Sequence, residues 1–284
     1  MSKLLKGKAV ADALDTKTIE KVRILKEKNI QPCVAILRVG QKTDDLSYER
    51  SVSKKCEKLG ISLKQVVLSE KVSQEELLKT IDELNKDDSV HGILMFRPLP
   101  KSLDEIQACT RLVGKKDIDG ITLSSLAKVY SNSGEGFAPC TAQAVIELLH
   151  YYNIEIKGKN VVVIGRSLVI GKPVAMLLLQ ENGTVTICHS KTNDMKDIVS
   201  KADIIVSAIG KAESLTADYF GEGQVVIDIG INYSDSKNKL VGDVCFEEVS
   251  EKVAAITPVP GGIGSITVSV LLSHVVEATI NEIS

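Results

Sequence analysis

The stretch "LSYERSVSKK", Leu46 to Lys55, sets a phenol at Tyr48 among several cations. A tyrosine held against a lysine can relay a proton, and on a helix that partner must stand three or four residues on. Those positions hold Ser51 and Val52. Lys55 returns to the face of Tyr48 only two turns later, roughly 10 Å along the axis at about 1.5 Å per residue. Arg50 and Lys54 project elsewhere. The segment reads as a helix stopped by Gly60, with a tyrosine that lacks its base.

A second stretch could hold phosphate. "VVVIGRSLVIGKPVAMLLL" reads as strand, glycine turn and helix, with Gly165, Arg166, Ser167 and Gly171 in a G-x-S-x-x-x-G spacing. Glycine lets backbone approach a pyrophosphate, and the following helix N-terminus offers N–H groups and the positive end of its dipole. An NAD site usually carries an acid about 20 residues on, for the ribose 2′-hydroxyl. The corresponding strand end reads "ICHSKT", with Ser190 and Lys191 and no acid. Arg166 and Ser190 suit a 2′-phosphate, so NADP is favoured, with NAD still possible.

These residues need a scaffold, and the chain supplies two alternating series. "CVAILRV" (33–39), "SLKQVVL" (62–68) and "VHGILMF" (90–96) read as buried strands, with helices near 46–59 and 73–86. That order implies a parallel sheet with helices on its faces. A loop-rich stretch, "RPLPKSLDEIQACTRLVGKKDIDGI", follows. The second series has strands at 160–165, 184–189, 203–210, 224–230 and 254–259, with helices at 171–181 and 194–201. A helix spans the junction within 138–150, and a final helix, "SITVSVLLSHVVEATINEI", is long enough to return to the first domain. The fold class is α/β: an N-terminal α/β domain over 1–140, a Rossmann-type dinucleotide domain over 141–265, and a C-terminal helix over 266–284 packing back on the first.

At 284 residues, 25% charged and 44% hydrophobic, with net charge −2, the composition gives no electrostatic case for nucleic acid or an anionic membrane. "MSKLLKGKAVADAL" reads as helical and charged rather than as a signal peptide, and no stretch has the roughly 18 apolar residues of a membrane span. The reading expects a cytoplasmic protein whose six scattered cysteines are reduced thiols. Cys188-His189 faces opposite sides of a strand and makes no dyad. The four histidines, at 91, 150, 189 and 274, lack metal spacing, so no metal is expected. His189 is placed near the adenosine side of the cofactor. Asp243 in "VGDV" has no role legible at this level.

Taken together, "KDIDG", "APCT", "GRSLVIGKP", "CHSKT", "VIDIGIN", "VGDV" and "ITPVPGGIGSIT", in that order, closely resemble the methylenetetrahydrofolate dehydrogenase/methenyltetrahydrofolate cyclohydrolase family, over essentially the whole chain. The resemblance implies a folate-binding domain, an NADP domain, a cleft between them and a homodimer. Laid onto this chain, it implies that Tyr48 packs over the folate and Asp119 holds the pterin. Phe96, Leu99 and Pro100 would wall the substrate, and Pro260 and Gly261 would close over it. Gly165, Arg166, Ser167, Gly171, Ser190 and Ile231 would contact NADP.

Three positions depart from the family pattern. Its Y-x-x-x-K lysine is Val52 here, its Q-L-P-L-P glutamine is Phe96, and the proline after its glycine loop is Ser265. Lys54 matches a second, non-catalytic lysine. Hydride transfer from the methylene bridge of methylenetetrahydrofolate gives a resonance-stabilised methenyl cation and needs alignment rather than a base. Hydrolysis of that cation needs proton handling, to which a positioned acid/base contributes about 10²–10⁴-fold. The expectation is a dehydrogenase whose cyclohydrolase activity is lost or weak. The resemblance also implies monofunctional members that lack these two groups, some of which prefer NAD. The alternatives are a bifunctional enzyme with another relay, reached if Lys54 or Lys55 turns inward on a distorted helix, and a non-catalytic folate or NADP sensor. A dehydrogenase of some other metabolite is the weakest alternative.

Overall fold

Cys33–Val39 is buried along nearly its whole length because it is paired on both edges. In the computed structural model, which describes residues 2–283, the strands in chain order begin with β1 (Lys3–Leu4), β2 (Cys33–Val39), β3 (Ser62–Leu68) and β4 (Gly92–Met95). They continue with β5 (Asn160–Ile164), β6 (Thr184–Cys188), β7 (Ile204–Ser207) and β8 (Val225–Asp228). β9 (Asn232–Ser234), β10 (Lys239–Val241) and β11 (Ala255–Ile256) complete the set.

The chain divides into two units. One comprises Ala13–Cys140 and Val268–Ser284 and carries a parallel three-stranded sheet in the order β3-β2-β4. Its core joins Leu37 and Ile93 of the sheet to Leu77, Ile81 and Leu84 of the helix Gln74–Lys86, which Ser73 caps by accepting from the Glu76 amide. β3, the edge strand, alternates in exposure where the central strand does not. The helix Thr43–Leu59 is continuous. Asp44 and Asp45 favour its N-terminal dipole, and Gly60, in the left-handed region, ends it. Its inward face is Glu49, Val52, Cys56 and Leu59.

The other unit, Met1–Asp12 with Thr141–Thr267, carries a parallel six-stranded sheet in the order β1-β11-β8-β7-β5-β6, and the β9–β10 hairpin. From β5 the chain steps to β6 on one side and then returns to β7 on the other. This makes a topological switch point at the carboxyl end of β5, where open α/β sheets bind ligands.

Two expectations about the ends of the domains need correction. Residues 2–12 group by their contacts with the six-stranded unit and do not start as helix. Lys3 and Leu4 pair with Ala255 and Ile256, which ties that segment to the six-stranded unit. The helix begins only at Gly7 and runs to Glu27. The C-terminal helix, Thr267–Ile283, does pack with the three-stranded unit. Ser269 accepts from Lys55, and His274 Nδ1 lies 2.8 Å from the Ile118 carbonyl.

Candidate active site

Val52, the position where a lysine would pair with Tyr48, is 0% exposed in the core of the three-stranded unit. The regular helix around it leaves no distortion to swing a neighbour inward. Lys55 points the other way, to Asp15 at 3.2 Å and Ser269 at 2.5 Å, and Lys54 is exposed. Glu49, one residue past the tyrosine, is spent on Arg38 and Gln65.

Tyr48 lies against Phe96, ring centroids 5.5 Å apart and tilted by 44°. Phe96 is 7% exposed, so its apolar ring is buried beside the phenol. Tyr48 keeps 38% of its surface exposed. Its hydroxyl is nevertheless pushed above the usual phenol range, first by burial and then by the charge of Asp119. In this setting it is a weaker acid still, and that exposed share tempers the shift.

The "KDIDG" turn separates its two aspartates by environment. Asp117 is fully buried and accepts from the Ile121 and Thr122 amides and from Ser125 Oγ, at 3.0, 2.8 and 2.6 Å. It holds the turn. Asp119 is only partly buried, and its carboxyl is raised to about 6, chiefly by burial; the Cys140 thiol and the Arg97 guanidinium pull it back. Cys140 also donates to the Ile118 carbonyl at 3.3 Å. Sequence spacing gave no sign of this cysteine beside Asp119, because the chain between them loops out through the helix Leu123–Ser131.

The "RPLP" loop carrying Leu99 and Pro100 is clamped from both sides. Glu105 accepts from the Leu99 amide at 2.9 Å and pairs with Arg97 at 3.5 Å, and Lys42 donates to the Pro98 carbonyl at 3.0 Å. Leu99 is buried. Tyr48, Phe96, Leu99, Pro100 and Asp119 thus all belong to one unit.

In the six-stranded unit the glycine turn opens directly from β5 at the switch point. A Cβ at Gly165 would strike the Ala208 carbonyl after β7, and one at Gly171 would strike the backbone of Gly165 and Arg166. Gly165 has φ +132°, which further favours glycine. Ser167 Oγ accepts from the Ile170 amide at 3.1 Å and presets the start of the helix Gly171–Gln180. β5 and β6 pair in register from Asn160↔Thr184 to Ile164↔Cys188, so Arg166 and Ser190 follow neighbouring strand ends. His189 Nδ1 accepts from the Lys191 amide, and Thr192 Oγ1 accepts from the His189 amide; the histidine shapes that turn. Arg166, Ser167, Ser190 and Lys191 are all exposed. A dinucleotide fits these residues: the backbone closes where a Cβ would intrude, and cations flank the adjacent turn.

Ile231, Pro260 and Gly261 meet in one pocket of about 180 Å³ in the same unit, with Ile231 61% exposed at its edge. Asp243, opaque in the sequence, fixes the loops beside that pocket. It accepts from Ser207 Oγ, the Ile209 and Lys211 amides and Asn232 Nδ2, at 2.7–3.0 Å. Asp228 accepts from the amides of Gly230, Asp243 and Val244. Among the described residues one group, Glu213, Cys245 and Glu247, is close enough to chelate a metal. The Lys237 ammonium already bridges its two carboxylates, at 2.5 and 3.4 Å. No helix among the described residues is long and apolar enough to cross a membrane.

Comparison with known proteins places both units. Residues 5–119 match the family described as tetrahydrofolate dehydrogenase/cyclohydrolase, catalytic domain, and residues 139–283 match its NAD(P)-binding domain. "Bifunctional protein FolD" of Clostridium botulinum strain Langeland is 50% identical over 98% of each chain. Among solved structures, the Campylobacter jejuni bifunctional FolD dehydrogenase/cyclohydrolase aligns with TM-score 0.95 at 40% identity, covering 99% of this chain and 100% of its own. The Trypanosoma brucei enzyme, solved with NADP and an inhibitor, aligns with TM-score 0.90 at 34% identity, over 99% of this chain and 98% of its own.

Proposed function

Because the chain belongs to the tetrahydrofolate dehydrogenase/cyclohydrolase family, we propose that it oxidises methylenetetrahydrofolate with NADP and hydrolyses the methenyl product weakly or not at all. The observation that carries this reading is the apolar seal at the proton-handling positions. Val52 is fully buried, Phe96 packs on Tyr48, and Lys55 is committed to Asp15 and Ser269.

In this reading the three-stranded unit binds the folate. Tyr48 and Phe96 offer ring faces, Leu99 and Pro100 an apolar wall, and Asp119 a carboxylate for the donor edge of the pterin. The six-stranded unit binds the dinucleotide. Gly165, Ser167 and Gly171 cradle the pyrophosphate, Arg166 and Ser190 meet the 2′-phosphate, and Ile231, Pro260 and Gly261 line the nicotinamide side. The cofactor supplies a hydride acceptor at its nicotinamide C4. Transfer requires donor and acceptor carbons at roughly 3–3.5 Å, and the protein's share is alignment and exclusion of water. No proton leaves the substrate in this step, so the missing lysine does not impair it. Hydrolysis is different: water must add, lose a proton, and a ring nitrogen must gain one. Tyr48 has a raised pKa and no basic partner among the described residues, so it holds its proton at neutral pH.

A second reading is the full bifunctional enzyme. It is favoured by the name of the Clostridium botulinum relative, at 50% identity, and it fits the family at least as well. One experiment separates the two. Purified protein receives methylenetetrahydrofolate with NADP, then with NAD, and separately methenyltetrahydrofolate alone, while methenyl absorbance is followed. Accumulation in the first arm and decay at the buffer rate in the last support the dehydrogenase-only reading. Accelerated decay overturns it in favour of the bifunctional one. The NAD arm tests the cofactor assignment, and light scattering of the same sample tests the homodimer.

A further inference from the structure

A cavity of about 330 Å³ lies within the three-stranded unit and includes none of the residues assigned above to folate or dinucleotide. Three lysines, Lys115, Lys116 and Lys128, stand on its wall against two acids, Glu135 and Glu282. Lys115 pairs with Glu282 at 3.3 Å. The other two ammonium groups are held by neutral carbonyls; burial lowers the pKa of Lys116, and Glu282, Asp87 and Asp88 act on it from nearby. Lys116 Nζ donates to the Leu84 and Asp87 carbonyls, and Lys128 Nζ donates to that of Gly136 at 2.8 Å. Lys116 is 1% exposed and His91 9%. His91 Nδ1 accepts from the Cys33 amide, and burial holds the ring below its usual pKa, so its proton sits on Nε2 as a further donor. Phe137 adds an aromatic face, with Lys128 above it at 5.6 Å. Pre-positioned donors, with Lys116 and His91 buried, on a wall that carries three lysines against two acids around a concave space of this size are what a small anion requires.

The wall is also wired into the turn that presents Asp119. Lys116 precedes Asp117 directly. The Phe137 amide donates to Ser125 Oγ, which in turn donates to Asp117. The Phe137 ring stacks on His274 at 4.8 Å, and His274 Nδ1 lies 2.8 Å from the Ile118 carbonyl. Displacing either Lys116 or Phe137 therefore moves a direct partner of the segment 117–119.

We propose that this cavity is a second ligand site, for a small organic anion bearing a phosphate or carboxylate group, and that its occupancy is coupled to the Asp117–Asp119 turn. This goes beyond the enzymatic reading and does not depend on it. The test is an amide NMR titration of the deuterated full chain with inorganic phosphate and, separately, with succinate, each against sodium chloride at equal ionic strength. The expected result is saturable shifts at Gly134, Gly136, Phe137 and Asp119 sharing one midpoint, on the order of millimolar. Saturation by phosphate alone marks the ligand as a phosphate ester, and by succinate alone as a carboxylate. Lys128→Gln is expected to raise the midpoint about tenfold, the loss of one charge-assisted contact. Lys115→Gln, on a more exposed side chain, is the variant least able to disturb folding and is expected to raise it several-fold. Shifts that never saturate, that chloride reproduces, or whose midpoint neither variant moves overturn the site. Saturation at Gly134 and Phe137 with Asp119 unmoved overturns the coupling.

Discussion

Both units place carboxylates beside the loops that would carry the reaction, and they treat them differently. In the six-stranded unit Asp243 takes four donors and Asp228 three, mostly backbone amides of the loops around Ile231. In the three-stranded unit Asp117 is saturated in the same way, but among the described residues Asp119, two residues on, has the Cys140 thiol beside it and Arg97 near. A carboxylate whose lone pairs are filled from within shapes a loop. One left short of donors is available to a ligand's N–H groups.

The largest effect expected from that contrast is at Asp243. Asp243→Ala strands four donors, two of them amides of the loop after β7, and is expected to cost about 3–5 kcal/mol. Urea unfolding of the purified variant measures it, and a cost under about 1 kcal/mol would remove the distinction between the two kinds of acid.

Asp119→Asn is expected to lower kcat/KM about 100-fold, near 2.7 kcal/mol by the usual conversion, without loss of stability. The sign follows from the carboxyl, which sits at about 6 when folded against 3.8 as an isolated group. Between those values the folded chain holds a proton that the unfolded chain has released, so stability falls as pH climbs from about 4 to about 6 and is flat above. Asparagine flattens that slope. A steeper slope in the variant, or a loss of stability at pH 7, would mean that Asp119 is a loop anchor after all.

The double substitution Val52→Lys with Phe96→Gln restores both proton-handling groups. It is expected to raise methenyltetrahydrofolate hydrolysis about 30-fold, below the full range for a positioned acid/base because Val52 lies in core. No rise would show that the seal at Tyr48 is not what limits hydrolysis. The smallest change is expected at Arg166→Gln, which lowers the preference for NADP over NAD about tenfold in steady-state kinetics. An unchanged ratio would move recognition of the 2′-phosphate to Lys191.

How much of this could be read from residues alone follows the range of the forces involved. The β5 strand, its glycine turn and the helix after it are local, and their pattern is written in one stretch. The positions of Val52 and Phe96 were legible as departures from a motif. That Lys55 is drawn away by Asp15 and Ser269 was not, because those partners are remote in sequence. The β9–β10 hairpin was missed although Asn238, at φ +47°, and the polar run Ser234–Asn238 between Tyr233 and Leu240 mark a turn. The helix Leu123–Ser131, with Thr122 as its cap, left a readable signal too. β1 left none. Two residues carry no periodicity, and only pairing with Ala255 and Ile256 makes them a strand.

That same pairing, with the return of the C-terminal helix, bears on the order in which the protein can be made. The segment Ala13–Cys140 leaves the ribosome early, yet the helix that covers its Ile118 side belongs to residues from 268 onward. The three-stranded unit, most of which is synthesised first, is therefore the one finished last. Its sheet, already complete in strands, waits without that helix, exposed to chaperones and to aggregation, while residues 141–267 are made and join the N-terminal strand.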